Sequence, residues 1–498
     1  MKKTRILSAA LAALLCMSAL IACGDDGSTA PAAGTAADDA GQTVTEAETT
    51  EDDGEPELPD ADFGGDTFNW LLRGETNAYV EKWVVVDEMD GEVVNDAIFE
   101  RNRAAEEKFN CKITATFQEG ATSYAQKAVM AGDNTFFAVF DSKNQLSSGI
   151  QQHIFIDLNK LQHCDLSAPY WDKNCVDELS IAGKTYMMAS DISMMNLTAP
   201  RFLYFNKKIM EDYGLKSPYD YVHENEWTLD NFLPMVSAVS EDLNGDGKMD
   251  REDKFGMLTE DGAGNGNILY FLVGSGIRST TNDENGIPQL SFFSEKAQTV
   301  IEKVAAVLKS KDTCIEYNTC AKGADYSQFH HLYEYCRSLF AAGHFLFVQN
   351  GCYESIQFTD MADDYGVVPN PKYDSSQENY YHRTDPYDTL LSVPITNTDF
   401  ERTGLLLEWL SWKSSKTLLP AFYETTVKLK RQRDETAMEM LDIIKGSIYY
   451  DIADIFGLGI SEVIWNAYNK EDLASQYAKN EEKMQKKIDK LVETITEG

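Results

Sequence analysis

The stretch LYFNKKIMEDYGL, residues 203–215, joins an apolar strand directly to a helix. A turn containing Pro218 follows, and the segment NEWTLDNFLPMV (225–236) predicts a second helix that begins at Thr228. A short apolar run beside residues with helical spacing is typical of a strand that packs under a helix. This part of the chain therefore predicts an α/β fold.

Toward the N-terminus the same alternation repeats. Apolar, strand-like runs at 68–72, 112–117 and 135–145 are separated by segments with helical spacing. Such alternation predicts a parallel sheet with helices on its faces, and ligands meet these sheets at the loops that follow the strands. The candidate ligand-binding residues in these loops are Arg73, Glu75, Asn144 and Gln145.

The segment DLNGDGKMDRED (242–253) has the spacing of a calcium-binding loop, with glycine at position 6. Position 12 is an Asp instead of the bidentate Glu of sensor loops, and the sequence contains no second loop of this kind. The segment thus predicts a structural Ca²⁺ and no required cofactor; the alternative is an Asp/Gly-rich turn that binds nothing tightly. The candidate metal ligands are Asp242, Asn244, Asp246, Lys248, Asp250 and Asp253.

Taken in order, LYFNKKIMEDYGL, NEWTLDNFLPMV and DLNGDGKMDREDKFGM resemble the extracellular solute-binding proteins of bacterial ABC importers. The likeness is greatest to the carbohydrate-type family 1, which includes the maltodextrin-binding proteins. It continues through FLFVQNG (345–351), YGVVP (365–369) and LLSVPITNTDFERTGLLLEWLSW (390–412). The chain departs from the family pattern at Cys352 and Tyr353, where Trp is frequent, and at HRTDPYD (382–388), where a glycine-rich turn is usual.

This resemblance implies a two-lobed, periplasmic-binding-protein-like α/β fold of class II, with mixed sheets flanked by helices and a hinged cleft. Lobe 1 is expected at 66–189 plus about 389–430, lobe 2 at 192–382, and C-terminal helices at 431–498 packing across the lobes. The chain is expected to cross between the lobes near Ser190 and Asp191 and again near 383–388. Candidate ligand residues at the crossings and after FLFVQNG are Asp191, Tyr353, Arg383 and Asp385.

Aromatic side chains near strand ends and crossings are candidates for stacking on sugar rings. The candidates are Trp70, Tyr170, Trp171, Tyr353, Tyr380, Tyr381 and Tyr387, and of these Trp171 and Tyr353 are assigned as ligand-binding residues. Four other tryptophans, Trp227, Trp409, Trp412 and Trp465, are predicted to be core residues. The run GAGNGN (262–267) is predicted to be a turn that does not open a helix, although Asn265 and Asn267 could reach a cleft.

The N-terminus predicts export and lipid anchoring. A basic start and an apolar run at 6–20, too short to span a membrane, form a signal peptide at 1–22. Leu20 to Cys23 resembles the lipobox of bacterial lipoproteins, in which the Cys is lipidated after cleavage. Residues 23–65, rich in Asp and Glu without Lys or Arg, predict a disordered acidic tether. The expected location is the extracellular face of the cell membrane.

Charge and motifs exclude several functions. The formal net charge of -37 argues against nucleic acid and anionic membrane surfaces as partners. The sequence contains no GxSxG, HExxH or GxxxxGK[ST] pattern, so no catalytic residue is assigned and no enzyme is predicted. Seven cysteines remain in the mature chain after Cys23; Cys164–Cys175 and Cys314–Cys320 are possible bridges, and buried thiols are the alternative.

The sequence therefore predicts the lipid-anchored substrate-binding component of an ABC transporter. A monomer is expected to capture a sugar or oligosaccharide in the interlobe cleft and deliver it to membrane permease subunits. Two alternatives remain, a surface carbohydrate-active hydrolase and a binding protein for peptides or another small polar nutrient. A third, a calcium-dependent adhesion module, would need a duplicated loop that the sequence lacks.

Overall fold

The computed structural model describes residues 54–74, 82–352, 358, 361–428, 435–470 and 472–497. The predicted signal peptide, Cys23, Glu75 and Tyr353 lie outside these residues. Within the described ranges no helix has the length and apolar character needed to cross a membrane.

The strands belong to two larger sheets and two small ribbons. They are β1 (Thr67–Arg73), β2 (Lys112–Gln118), β3 (Phe136–Ser142), β4 (Phe202–Asn206), β5 (Ser240–Glu241), β6 (Lys254–Thr259), β7 (Thr280–Asn282), β8 (Pro288–Leu290), β9 (Cys314–Glu316), β10 (Phe345–Asn350), β11 (Tyr365–Val368), β12 (His382–Arg383), β13 (Thr389–Ser392) and β14 (Ile448–Tyr449).

Helices cover both larger sheets. They are α1 (Val93–Phe109), α2 (Ala121–Met130), α3 (Lys143–Gln151), α4 (Lys173–Leu179), α5 (Met195–Thr198), α6 (Lys207–Asp212), α7 (Pro218–His223), α8 (Leu229–Ala238), α9 (Asn267–Gly274), α10 (Glu295–Leu308), α11 (Tyr317–Cys320), α12 (Leu332–Ala341), α13 (Phe400–Lys416), α14 (Leu418–Lys428), α15 (Glu435–Lys445), α16 (Ile452–Ile455), α17 (Ile460–Lys470) and α18 (Leu473–Glu497).

The first sheet has the strand order β13–β3–β1–β2. β1 runs parallel to β2 and β3, and the late strand β13 pairs antiparallel with β3. Every residue of β3 is buried, as its apolar sequence requires of a strand covered on both faces. The predicted strand–helix alternation over 68–145 is confirmed.

The second sheet has the order β11–β4–β10–β6–β5, and β9 also pairs with β6. β4 runs antiparallel to β10 and β11, whereas β6, β9 and β10 are parallel. Helix α8 begins after Thr228, as predicted. It packs so closely on β6 that a Cβ on Gly256 would lie 1.8 Å from the Val236 carbonyl oxygen, so this position requires glycine. The two sheets with their helices form the two-lobed mixed α/β fold that the sequence predicts.

Residues 54–65 are packed against the first lobe, which corrects the predicted end of the tether. Phe63 is buried, stacks on Phe109 at 5.1 Å between ring centroids, and donates its amide to the Phe109 carbonyl at 2.7 Å. Leu58 and Ala61 pack against the same cluster. These few apolar side chains order a segment whose acidic composition predicted disorder.

Residues 183–191 (GKTYMMASD) form no regular strand, although the apolar stretch at their centre is strand-like. Met188 makes a single antiparallel bridge to Leu391 and so extends the edge of the first sheet by one residue. The run GAGNGN also differs from its prediction, because Asn267 opens helix α9.

The C-terminal helices contact both lobes. Helix α18 packs against α3 of the first lobe and against β8 of the second. The Ile495 carbonyl accepts a hydrogen bond from Lys184, and the Leu473 amide donates to Gln298. Helix α18 therefore lies across the boundary between the lobes, while the exact lobe limits given from the sequence stay predictions.

Candidate functional site

In the described part of the chain, two segments cross between the lobes side by side. Pro200 and Thr384 form an antiparallel bridge, the Arg201 amide donates to the Arg383 carbonyl at 3.2 Å, and the Asp385 amide donates to the Ala199 carbonyl at 3.0 Å. One segment leads into β4 of the second sheet, and the other leads into β13 of the first. We call residues 199–201 and 383–388 the crossing. The first of these segments follows Ser190 and Asp191, the position at which the sequence predicted the first passage between the lobes.

The Arg201 side chain lies at the centre of the crossing. Its Nε and Nη2 donate to Asp385 Oδ2 at 3.1 and 2.5 Å. Its Nη1 donates to Glu260 Oε2 and to Asn350 Oδ1, both at 3.3 Å. All four side chains are buried. Burial raises the pKa of Asp385, but the Arg201 charge and hydrogen bonds outweigh it and hold that pKa below its ordinary value.

A chain of amide side chains extends this network into the second sheet. Asn370 Nδ2 donates to the Arg201 carbonyl at 2.8 Å, and its Oδ1 accepts from Gln349 at 2.7 Å. Asn267 Nδ2 donates to Gln349 at 2.8 Å, and Asn267 Oδ1 accepts the Glu260 amide at 2.5 Å. Because each amide offers both donors and acceptors, the chain fixes the edge formed by the ends of β6 and β10.

The first sheet contributes a lysine to the same crossing. Lys143, at the start of α3, is buried; its amide donates to the Asp388 carbonyl at 2.9 Å, and its Nζ donates to the Thr384 hydroxyl and carbonyl. Burial lowers the pKa of Lys143. The Lys143 ammonium group therefore lies in contact with the connecting segment at Thr384.

Asp388 is fully buried beside Lys143. Among the described residues neither of its carboxylate oxygens has a hydrogen-bond partner. Burial raises the pKa of Asp388 to about 7, although the Lys143 charge and the nearby Thr384 hydroxyl oppose the rise. The Thr384 hydroxyl lies close enough to have this effect but does not reach a normal hydrogen-bond geometry.

Arg383 ties the crossing to the C-terminal segment. Its Nη2 donates to Asp454 Oδ2 at 2.6 Å, and its guanidinium carbon lies 5.2 Å from the centre of the Tyr270 ring. Its Nη1 has no partner among the described residues. His382, next in the chain, accepts the Asn370 amide on Nε2 at 3.0 Å and faces Ser447 Oγ through Nδ1 at 2.8 Å. Burial lowers the pKa of His382 to about 3, so the ring stays neutral.

Three solved structures share this architecture over almost their whole length. A cyclo/maltodextrin-binding protein complexed with maltotetraose has a TM-score of 0.54 at 14% identity and covers 87% of this chain and 97% of its own. A sugar transporter from Rhizobium etli in an open conformation has a TM-score of 0.52 at 14% identity, with 86% and 99% covered. An ABC substrate-binding protein from Listeria monocytogenes in complex with cycloalternan has a TM-score of 0.50 at 11% identity, with 87% and 99% covered. The chain has the two-lobed fold of these three proteins.

At the level of sequence the likeness is faint. No protein-family model matches the chain. A search of curated proteins gives no match either. The fold is therefore shared with the three solved structures at a sequence identity of only 11–14%.

Arg73, which the sequence predicted to bind the ligand, lies at the crossing. Its Nη1 donates to the Tyr387 carbonyl at 2.8 Å, and its guanidinium lies 5.4 Å from the centre of the Tyr387 ring. Its Nε lies 3.9 Å from Asp141 Oδ1. Tyr387 is 48% exposed, so one aromatic surface at the crossing faces solvent. Arg383 and Asp385 also lie there, as described above.

Other predicted ligand residues lie elsewhere. Asn144 and Gln145 are exposed in the first turn of α3, directly after Lys143. Asp191 is buried with one oxygen 3.8 Å from Lys445 Nζ, and burial raises its pKa to about 6. Glu75 and Tyr353 lie outside the described residues.

Trp171 requires a correction, because it is a core residue and presents no open stacking face. Only 3% of it is exposed, and its Nε1 donates to Glu408 Oε2 at 2.9 Å. Tyr170 donates its hydroxyl to the other oxygen of Glu408 at 2.6 Å. Glu408 belongs to α13, so this partner comes from a distant part of the sequence.

The sequence did not single out Arg201, Glu260, Asn350 and Lys143. A usable signal existed for Glu260 and Asn350, because both are polar residues at the end of an apolar strand. The same signal had identified Arg73 in the first lobe. Arg201 precedes its strand, and since β4 is antiparallel to β10 its start lies at the same edge as the end of β10.

The predicted calcium loop is a tightly hydrogen-bonded turn. Asp242 accepts the amides of Gly245 and Gly247 at 2.7 and 2.8 Å, and the buried Asp253 accepts those of Leu243 and Asp250 at 3.0 and 2.8 Å. Within the described residues no group of three or more His, Cys, Asp or Glu side chains is arranged to hold a metal ion. Occupancy by Ca²⁺ stays a prediction.

Proposed function

We propose that this protein is the substrate-binding component of an ABC importer and that it captures a neutral sugar or oligosaccharide between its two lobes. The observation that carries the proposal is the crossing, where both sheets present polar side chains to one pair of connecting segments. Arg73 and Lys143 come from the first lobe, and Arg201, Glu260 and Asn350 come from the second. Closure about such a pair of segments is a common way for two lobes to enclose a ligand.

Sugar chemistry fits the groups available at this place. Sugar hydroxyls need paired donors and acceptors, and sugar rings stack on aromatic faces. The half-exposed Tyr387 ring, held against Arg73, offers such a face at the edge of the crossing. The net charge of -37 disfavours anionic solutes. Two of the solved structures with this fold were determined with maltotetraose and with cycloalternan, which are both oligosaccharides.

The protein works, in this proposal, on the extracellular face of the cell membrane. Lipid on Cys23 anchors the chain, and residues 24–53 connect that cysteine to the described residues. Permease subunits in the membrane take the solute from the closed form. The protein itself breaks no bond in the solute.

A thermal-shift screen with purified protein tests the proposal. Maltotetraose, other neutral oligosaccharides, peptides and amino acids are added separately, and each mixture is checked for new products by chromatography. We expect a neutral oligosaccharide to raise Tm with no product, because a ligand that binds only the folded state stabilises it. A response to peptides alone, or shortened sugars in the mixture, would contradict the proposal.

The site is tested with Tyr387→Ala, with Tyr124→Ala as the matched control. Tyr124 is 41% exposed on helix α2, an exposure close to that of Tyr387. We expect the Tyr387 variant to weaken sugar binding by about tenfold or more through the lost aromatic stacking. The Tyr124 variant should bind as the unchanged protein does; an equal loss in both variants would remove the crossing from the proposed site.

A further inference from the structure

Two buried cysteines of the second lobe lie against each other. Cys320 ends helix α11, Cys336 lies in helix α12, and these helices are in contact. Both side chains are wholly inaccessible to solvent. Cys336 Sγ donates to the Tyr317 carbonyl at 3.5 Å, and Tyr317 lies one helical turn before Cys320 in α11. The hydrogen-bonding Cys336 thiol and burial both raise the pKa of the Cys320 thiol.

The other cysteines have different neighbours. Cys111 Sγ donates to the Ala105 carbonyl, and Cys314 Sγ donates to the Val307 carbonyl. Cys164 lies beside Glu408, and Cys175 lies beside Asp172. The pairs Cys164–Cys175 and Cys314–Cys320, which the sequence left open, are therefore not the pair that the fold brings together. All seven are free thiols in the structure.

We propose that Cys320 and Cys336 are a disulfide-forming pair that closes the surface segment 321–335 when the exported protein is oxidised. The two thiols lose two protons and two electrons as the S–S bond forms. A low-molecular-weight disulfide accepts the electrons and leaves as two thiols, so the exchange is balanced. Outside the cytoplasm such bonds persist.

The position of the pair gives the bond a structural consequence. Helix α11 follows edge strand β9 and helix α12 precedes the inner strand β10, so the bond links the segment that leaves β9 to the segment that leads into β10. Lys322, two residues after Cys320, accepts a hydrogen bond from Arg251 of the predicted calcium loop at 2.9 Å. A link between α11 and α12 restricts the unfolded chain and so stabilises this side of the lobe.

Mass spectrometry and thermal unfolding of the full chain test the pair. The protein is unfolded, refolded in a mixture of reduced and oxidised glutathione, and digested without reduction. We expect a cross-linked peptide that contains Cys320 and Cys336, and a Tm that falls by roughly 2–5 °C after reduction. Both effects should disappear in Cys320→Ser and in Cys336→Ser.

The matched control is Cys111→Ser, a buried cysteine of the first lobe. This variant should keep both the cross-linked peptide and the fall in Tm on reduction. Free Cys320 and Cys336 after refolding, or bonds from either to another cysteine or to glutathione, would overturn the proposal. If a serine variant fails to fold, the cross-linked peptide and the change in Tm of the unchanged protein are sufficient to test the proposal. Sugar binding is not used as a readout, so the outcome is independent of the proposed transport role.

Discussion

Two nitrogens of Arg201 hold one carboxylate oxygen of Asp385 at the point where the two lobe-connecting segments pair. The backbones of the same two stretches are joined by hydrogen bonds between Arg201 and Arg383 and between Asp385 and Ala199. Side-chain and main-chain contacts thus fix one register between the segments. The two segments are thus fixed to each other, and the residues that flank them are left to absorb the rotation of a closure.

Removal of Arg201 should destabilise the protein strongly. In Arg201→Met the carboxylates of Asp385 and Glu260 stay buried without their cation, and such a loss costs about 3–5 kcal/mol of unfolding free energy. Urea unfolding measures the change. The control is Arg103→Met, whose guanidinium pairs with Glu106 but is 58% exposed; its loss should cost about 1 kcal/mol or less. Equal effects in the two variants would contradict the role given to Arg201.

Asp388 should make stability fall as pH rises. Its pKa is raised to about 7 by burial, so between about pH 4 and pH 7 the folded state holds a proton that the unfolded state has released. Stability therefore decreases through this window and levels off above pH 7. The charged groups around Asp388 are Lys143, Asp172 and Asp385.

The variant Asp388→Asn isolates this effect. Relative to the unchanged protein it should gain about 2 kcal/mol of unfolding free energy between pH 5 and pH 8, measured by urea unfolding at both values. The matched control is Asp283→Asn, an exposed turn aspartate whose substitution should give no pH-dependent difference. A stability difference between Asp388→Asn and the unchanged protein that is constant with pH would show that Asp388 is ionised throughout.

The sheets could be predicted because their signals are local. The apolar run of β3, the helical spacing of α1 and the start of α8 after Thr228 all appear in short windows of sequence. Much of the candidate site could not be predicted, because its geometry depends on contacts between residues that are far apart in the sequence. Trp171 has the residue type of a stacking platform, but Glu408 binds its indole nitrogen and draws it into the core. Arg201 was missed because only antiparallel pairing brings the start of β4 to the crossing.

Lipid attachment at Cys23 is tested by the variant Cys23→Ser. The unchanged protein should incorporate labelled palmitate in bacteria and remain with the membrane fraction, because two or more acyl chains give stable anchoring. The variant should lose the label and be released from membranes after washing. The control is Cys16→Ser, which removes a cysteine of the predicted signal peptide. Palmitate incorporation that survives the Cys23 substitution would contradict this prediction.

The loop at 242–253 should bind Ca²⁺ as a structural ion. Added Ca²⁺ should raise Tm and a chelator should lower it, while the affinity for the solute stays within about twofold, because the loop leads into β6 at the opposite end from Glu260. The paired substitution Asp242→Asn and Asp246→Asn should abolish the Ca²⁺ response of Tm. The control Asp283→Asn changes an exposed turn that also accepts backbone amides, and it should keep the response. If Ca²⁺ does not change Tm, the segment is a hydrogen-bonded turn that binds no ion. If the affinity for the solute falls when Ca²⁺ is chelated, the loop contributes to ligand binding and the purely structural role is wrong.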